Sequence, residues 1–509
     1  AGRQYLCPCV LLSCLCSVCA CGEREREGGR SRSAMAKGHV MVLPMPCQGH
    51  VIPLMELSHR LVDHGFEVTF VNTEVDHALV LAALGDGGLL RGIHLASIPD
   101  GLADDEDRKD LNKLVDAYSR HMPGYLEALV GEMEAAGRPK VRWLVGDVNM
   151  GWSFPVAKRL GIRVASFWPA SMACLAIMLK IPKLIQDGVL NDKGWPVREE
   201  TLQLAPGMPP LHTSLLSWNN AGTPEGQSII FDLVCRNNKF SDLAEIVVTN
   251  SFQEAEAGAF KLFPDILPIG PLFADGAFQK PVGSFLPEDE RCLRWLDARA
   301  AGSVVYVAFG SMAIFDPRQF QELAEGLELT GRPFLWVVRP DFTPGLDTAW
   351  LQEFQHRVAG TGMIVSWCSQ QQVLAHRAVA CFVSHCGWNS TLEAVRNGVP
   401  VLALLLRPVP GPELRHRRVE DRTCGGARRG RRRGQGGGEG QGGQGHRRRR
   451  VQEEGRVAQG RRGGVRRRRR LVLQEFHQIR GTSKRVSKLQ APIDRAVCTI
   501  SLLSVCVVV

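Results

Sequence analysis

Two histidines, two carboxylates and a run of hydroxyl and amide side chains stand in this sequence where they could move a proton and hold an anion. His50 closes Pro46-Cys47-Gln48-Gly49-His50, a turn between an apolar strand-like run and a helix start, and Asp147 follows a second apolar run at 141–145. A histidine that removes a hydroxyl proton works best with a carboxylate on its far ring nitrogen, which fixes the tautomer and steadies the imidazolium as it forms. Further along, the apolar run 380–384 leads into His385-Cys386-Gly387-Trp388-Asn389, after which a helix is expected to open at Ser390 and close at Gly398. A helix start carries unpaired N–H groups and partial positive charge, so strand, polar turn and helix in succession suit a nucleotide diphosphate. Ser311, in Phe309-Gly310-Ser311, would add a hydroxyl there. Taken singly, these residues also permit plainer roles. His50 could simply cap its helix, Asp147 and Ser311 could be turn or N-cap residues, Ser390 with Glu393 could form a capping box, and Trp388 could be core.

The elements that must position these groups alternate. Strands are predicted at 39–43, 67–72, 92–98, 141–145, 163–167 and 246–250, with a helix running to His64 that has Pro53 in its first turn, and mostly helix over 111–136. A second set begins with strand 303–309, helix 317–330 and strands 333–338 and 363–366. Such alternation predicts α/β architecture, parallel sheets covered on both faces. Ligands of these sheets collect beyond the carboxyl ends of the strands, which is where His50, Asp147 and His385 fall.

The 509 residues, 44% of them hydrophobic, suffice for two domains with cores of their own. No apolar run reaches the roughly 18 residues needed to span a bilayer, so no integral membrane association is expected. The net charge of +10 is unevenly spread: residues 407–470 hold 22 Arg, no Lys and 6 acidic residues, leaving the rest of the chain at −6. A mildly acidic globular part argues against a specific nucleic-acid partner. The Arg/Gly-rich tail could touch phosphates nonspecifically, but it lacks the aromatics of a stacking platform and is expected to be disordered.

The stretch 367–400, WCSQQQVLAHRAVACFVSHCGWNSTLEAVRNGVP, resembles the signature box of plant family 1 UDP-glycosyltransferases that act on small molecules. The resemblance implies a GT-B architecture of two facing Rossmann-like domains. It also implies that Trp367 stacks on the uracil, Cys368 and Gln370 read the base edge, and Glu393 holds the ribose hydroxyls. His385, Trp388, Asn389 and Ser390 would meet the diphosphate and sugar. QGHVIPLMELS and LVGDVNMGW match the family's catalytic dyad at His50 and Asp147. The implied reaction is inverting transfer of glucose from a UDP-sugar donor to a small apolar acceptor, with no metal, by a cytoplasmic monomer.

Both ends look foreign to this frame. Residues 1–34 hold six of the 16 cysteines and read as leader sequence ahead of Met35. The remaining cysteines are expected to be reduced thiols. Residues 407–421 can be encoded so that dropping one base yields DQFLDQSYVTDVWR, similar to the next segment of the same family and including the Asp-Gln pair that closes its signature box. The expected organisation is therefore a leader (1–34), an acceptor domain (35–266), a linker (267–300), a truncated UDP-sugar domain (301–406) and an out-of-frame tail (407–509). A chain that carries Arg407, Pro408, Val409 and Pro410 in place of that segment is expected to be impaired.

Overall fold

Val40, Met41, Val42 and Leu43 are all buried, on both faces of β1 (His39–Leu43), as befits an inner strand of a parallel sheet. Around it lie β2 (Glu67–Thr73), β3 (Ile93–Ile98), β4 (Val141–Asp147) and β5 (Arg163–Trp168). A short hairpin of β6 (Thr201–Leu202) and β7 (Leu211–His212) follows in the chain, and then β8 (Ile246–Thr249) and β9 (Ile266–Pro268) complete the sheet. The order is β3-β2-β1-β4-β5-β8-β9, parallel throughout. A second sheet repeats the pattern with β10 (Val304–Ala308), β11 (Phe334–Val337), β12 (Gly362–Val365), β13 (Val379–Ser384) and β14 (Val401–Ala403) in the order β12-β11-β10-β13-β14.

This computed structural model describes residues 37–404, apart from 85–89, 91, 104–107, 109, 221–223, 273–284, 312, 341 and 344. The expected leader, change of frame and tail lie outside the described residues. The described residues form one compact unit holding both sheets, and a separate segment Arg318–Arg332, the body of the helix Pro317–Leu329 with Gly331 just past it at φ of +61°. Among the described residues no helix is long and apolar enough to cross a membrane.

In each sheet the chain order reverses beside the first strand, and the neighbouring strand ends together with it. Leu43 of β1 pairs with Gly146 of β4, and Ala308 of β10 with Ser384 of β13. The segments that leave these ends carry His50, Asp147, Ser311 and His385, so each half opens its own switch-point crevice.

Three local expectations are corrected. Helix α1 runs Gln48–Asp63 from an N-cap at Cys47, so Pro53 lies in its second turn, inside the helix. The signature helix begins at Trp388 and not at Ser390, with Gly387 as its N-cap; it ends where predicted, Gly398 standing just past it with φ of +64°. The expected linker 267–300 is shortened at both ends. β9 extends the first sheet to Pro268, while Cys292 and Leu296 of the helix Arg291–Asp297 belong to the second core.

Trp388 and Leu392, from the second half, are buried in the core of the first with Trp168, Met172 and Phe260. Trp388→Ala is therefore expected to cost about 3–5 kcal/mol of stability, measurable by chemical denaturation; a loss under about 1 kcal/mol would contradict this packing.

Candidate active site

His50 is the third residue of α1, and Asp147 the last residue of β4. Because β1 and β4 are neighbours, the two side chains meet: His50 Nδ1 lies 2.6 Å from Asp147 Oδ2. Asp147 is fully buried, and its other oxygen accepts from the N–H of Asn149 at 2.8 Å. The plain N-cap role and the partner role thus coexist on one carboxylate, whose burial is tolerable because both oxygens are bonded. With Nδ1 occupied, Nε2 is the ring nitrogen left for a substrate.

The candidate anion site is assembled around a backbone left-handed at two points, Gly310 with φ of +65° and Cys386 with φ of +59°. The ring of His385 is wedged between glycines: a Cβ on Gly310 would come within 2.7 Å of it and one on Gly387 within 2.4 Å. Burial, and then the charge of Arg339, hold the imidazole down to about 4, so His385 offers the site a neutral ring. Beyond it the signature helix, α2 (Trp388–Arg396), starts with N–H groups that have no carbonyl one turn back; the first such bond is Thr391 N to Gly387 O. No side chain caps it.

The residues assigned by resemblance to nucleoside recognition are linked to one another. Gln370 Nε2 donates to Ser390 Oγ at 2.9 Å and to Glu393 Oε2 at 2.6 Å, and its Oε1 accepts from the Tyr306 hydroxyl at 3.2 Å. The buried Cys368 lies with its thiol 3.6 Å from the same hydroxyl, and Trp367 and Ser311 are half-buried in the cavity wall. Ser390 and Glu393 do not make a capping box, since the N-cap is Gly387. Trp388 and Asn389 reach the other way. Trp388 Nε1 donates to Asn250 O at 2.6 Å, and Asn389 Nδ2 to Gly49 O at 2.8 Å, both in the first half.

His50, Ser311, Trp367, Gln370, His385, Ser390 and Glu393 line one cavity of about 1290 Å³. That exceeds the roughly 300–1,000 Å³ of a single-ligand pocket and leaves room for two substrates. Its lining also includes the apolar Trp152, Met178, Ile230 and Val234, together with Tyr118 and Arg236.

Three residues bearing on this site went unrecognised in the sequence. Arg339 is buried just past β11, donating to the carbonyls of Gly310 and Ala313. The rule that singled out Asp147, to inspect residues just after strands, would have found it. Tyr306 sits inside a strand and gave no signal. Glu56 on α1 is 2% exposed with Oε1 unbonded. Burial pushes its carboxyl up to about 7, helped by the charge of Glu393 and opposed by Arg60, Gln371 and Arg396. Burial likewise pushes Glu393 up to about 7, against the pull of Gln370 and Gln371.

The family model for UDP-glucoronosyl and UDP-glucosyl transferase matches residues 284–409. UDP-glycosyltransferase 83A1 of Arabidopsis thaliana is 39% identical over 384 residues, 74% of this chain and 80% of the relative. A 7-deoxyloganetin glucosyltransferase of Gardenia jasminoides is 32% identical over 397 residues, 73% and 82% of the two chains. Among solved structures, Phytolacca americana UGT2 with UDP-2fluoro-glucose and pterostilbene superposes with a TM-score of 0.58 at 28% identity, over 72% of this chain and 80% of that one. Os79 of O. sativa with UDP gives 0.58 at 29%, over 72% and 82%. Two parallel sheets that share a cavity at their switch points are, with these neighbours, the GT-B fold of a sugar-nucleotide transferase. The chain belongs to the plant family 1 UDP-glycosyltransferases.

The two raised carboxyls set a pH dependence. Between the ordinary 4.5 and about 7, the folded chain keeps protons that the unfolded chain releases, so stability falls as pH rises through that window. Glu56→Gln should raise the melting temperature at about pH 8 and leave it nearly unchanged at about pH 4; equal shifts at both would refute the assignment.

Proposed function

We propose that this fold transfers glucose from UDP-glucose, with inversion, to a hydroxyl of an apolar small molecule such as a flavonoid or another phenolic. One observation carries the reading: His50, paired with the buried Asp147, and the open start of α2 border the same cavity although they belong to different halves. The acceptor hydroxyl gives its proton to His50 Nε2 as its oxygen forms a bond to the anomeric carbon. Asp147 stabilises the resulting imidazolium. On the opposite side the bond from that carbon to the phosphate oxygen breaks, and UDP takes the electron pair. Its charge is met by the N–H groups at the start of α2, by the neutral His385 and by the hydroxyls of Ser311 and Ser390, without a metal.

Glu393, Gln370 and the backbone of Cys368 would bind the nucleoside beneath Trp367, the Gln370 side chain exchanging its present partners for the base. Trp388, its indole N–H engaged by Asn250, would offer only its backbone and ring to the sugar. The apolar part of the lining suits a phenolic. The names of similar proteins, which include pterostilbene and 7-deoxyloganetin, span several acceptor classes. We also infer a cytoplasmic monomer, and impaired turnover in the chain as written, because Arg407, Pro408, Val409 and Pro410 stand where the family places its Asp-Gln sugar contacts.

The test compares this chain with one read on from Leu404 in the restored frame. Both should bind UDP in calorimetry, and only the restored chain should glucosylate a phenolic acceptor at an appreciable rate. His50→Ala in that chain should slow transfer by about 10²-fold or more while UDP affinity is kept. No UDP binding by either chain refutes the proposal; UDP binding without turnover in either makes the protein a nucleotide-binding remnant.

A further inference from the structure

The carbonyl of Gly49 is where the helix bearing His50 meets the helix bearing the anion site. Asn389 Nδ2 donates to it at 2.8 Å across the cavity. In an unbroken α-helix that carbonyl would accept from the N–H four residues on. Four residues on is Pro53, which has no N–H and lies inside α1. The pyrrolidine ring also crowds the carbonyl of the residue four back, turning it away from the helix axis. On the residue before Gly49, Gln48 Oε1 accepts from Phe285 N at 2.8 Å, and Trp388 Nε1 to Asn250 O at 2.6 Å is a second bond between the halves. Gln48, Gly49 and His50 are consecutive, so the first turn of α1 is tied from outside right beside the catalytic ring.

Building on the transferase reading, we infer that Pro53 and Asn389 act together as positioning residues. The missing N–H of Pro53 releases the Gly49 carbonyl, Asn389 takes it, and that bond sets how far His50 stands from the start of α2. A proline inside a helix weakens it unless something outside uses the freed carbonyl. A merely tolerated proline therefore behaves differently from a working one.

The experiment is a double-mutant cycle in the full chain: Pro53→Ala, Asn389→Ala and both together, with melting temperature and UDP affinity by calorimetry as readouts. Restoring the N–H should recapture the Gly49 carbonyl. Asn389→Ala should then lower the melting temperature of the parent chain and leave that of the Pro53→Ala variant unchanged. Each single variant should weaken UDP binding about threefold, the size of one lost neutral hydrogen bond, with no further loss in the double. Pro53→Ala that binds UDP like the parent, or two losses that multiply in the double, would overturn the inference. A chain that binds no UDP at all would remove the transferase reading, while the melting-temperature cycle would still decide the pairing.

Discussion

The chemistry of this protein depends on an indole from one half being buried in the other. In the proposed mechanism the proton acceptor stands on the first sheet and the anion site on the second, so neither is useful unless their separation is fixed. Trp388 fixes it by lying among Trp168, Met172 and Phe260 with its N–H on the carbonyl of Asn250. Burying a tryptophan contributes several times the free energy of one half-exposed hydrogen bond. Apolar burial therefore sets the placement of α2, and the bond from Asn389 to the Gly49 carbonyl adds a polar contact at the same joint.

Around this joint many of the buried polar groups are paired. Asp147 is bonded through both oxygens, and Arg339 is anchored on the carbonyls of the Gly310 turn. Such groups need little rearrangement when charge moves onto them, which is how a preorganised site lowers a barrier. The exceptions are telling. Gln48 Nε2, Glu56 Oε1, Trp152 Nε1 and His385 Nδ1 are buried without partners, the first two on the helix that carries His50 and the last beside the candidate anion site.

What the sequence disclosed follows from how locally each signal is encoded. Runs such as His39–Leu43 and Val304–Ala308 are apolar on both faces and could only be inner strands, so the sheets were legible, and with them the residues just beyond their ends. His50 and Asp147 were therefore found, because strand adjacency brings them together whatever loops intervene. The helix starts were misplaced for want of a signal, since Cys47 and Gly387 cap without any side-chain hydrogen bond. Trp388 could not be allotted to either half from sequence, because its surroundings come from residues roughly two hundred positions away in the other sheet's core. Glu56 gave no signal in the sequence, because the groups that act on it include Gln371, Glu393 and Arg396 of the second half.

Cys386 is fully buried with φ of +59°, a conformation that a residue with a side chain adopts only when its surroundings insist. Its N–H donates to the hydroxyl oxygen of Ser384 at 3.1 Å, and its carbonyl accepts from Thr391 Oγ1 at 3.3 Å. Burial pushes the thiol up to about 12, so the sulfur is a chemically quiet plug and not a reagent. Glycine would relax the turn yet leave a hole, and a bulkier side chain would pry it open. The turn therefore accommodates small, dense side chains, and the direction in which the amides of α2 point rests on the volume of one sulfur atom.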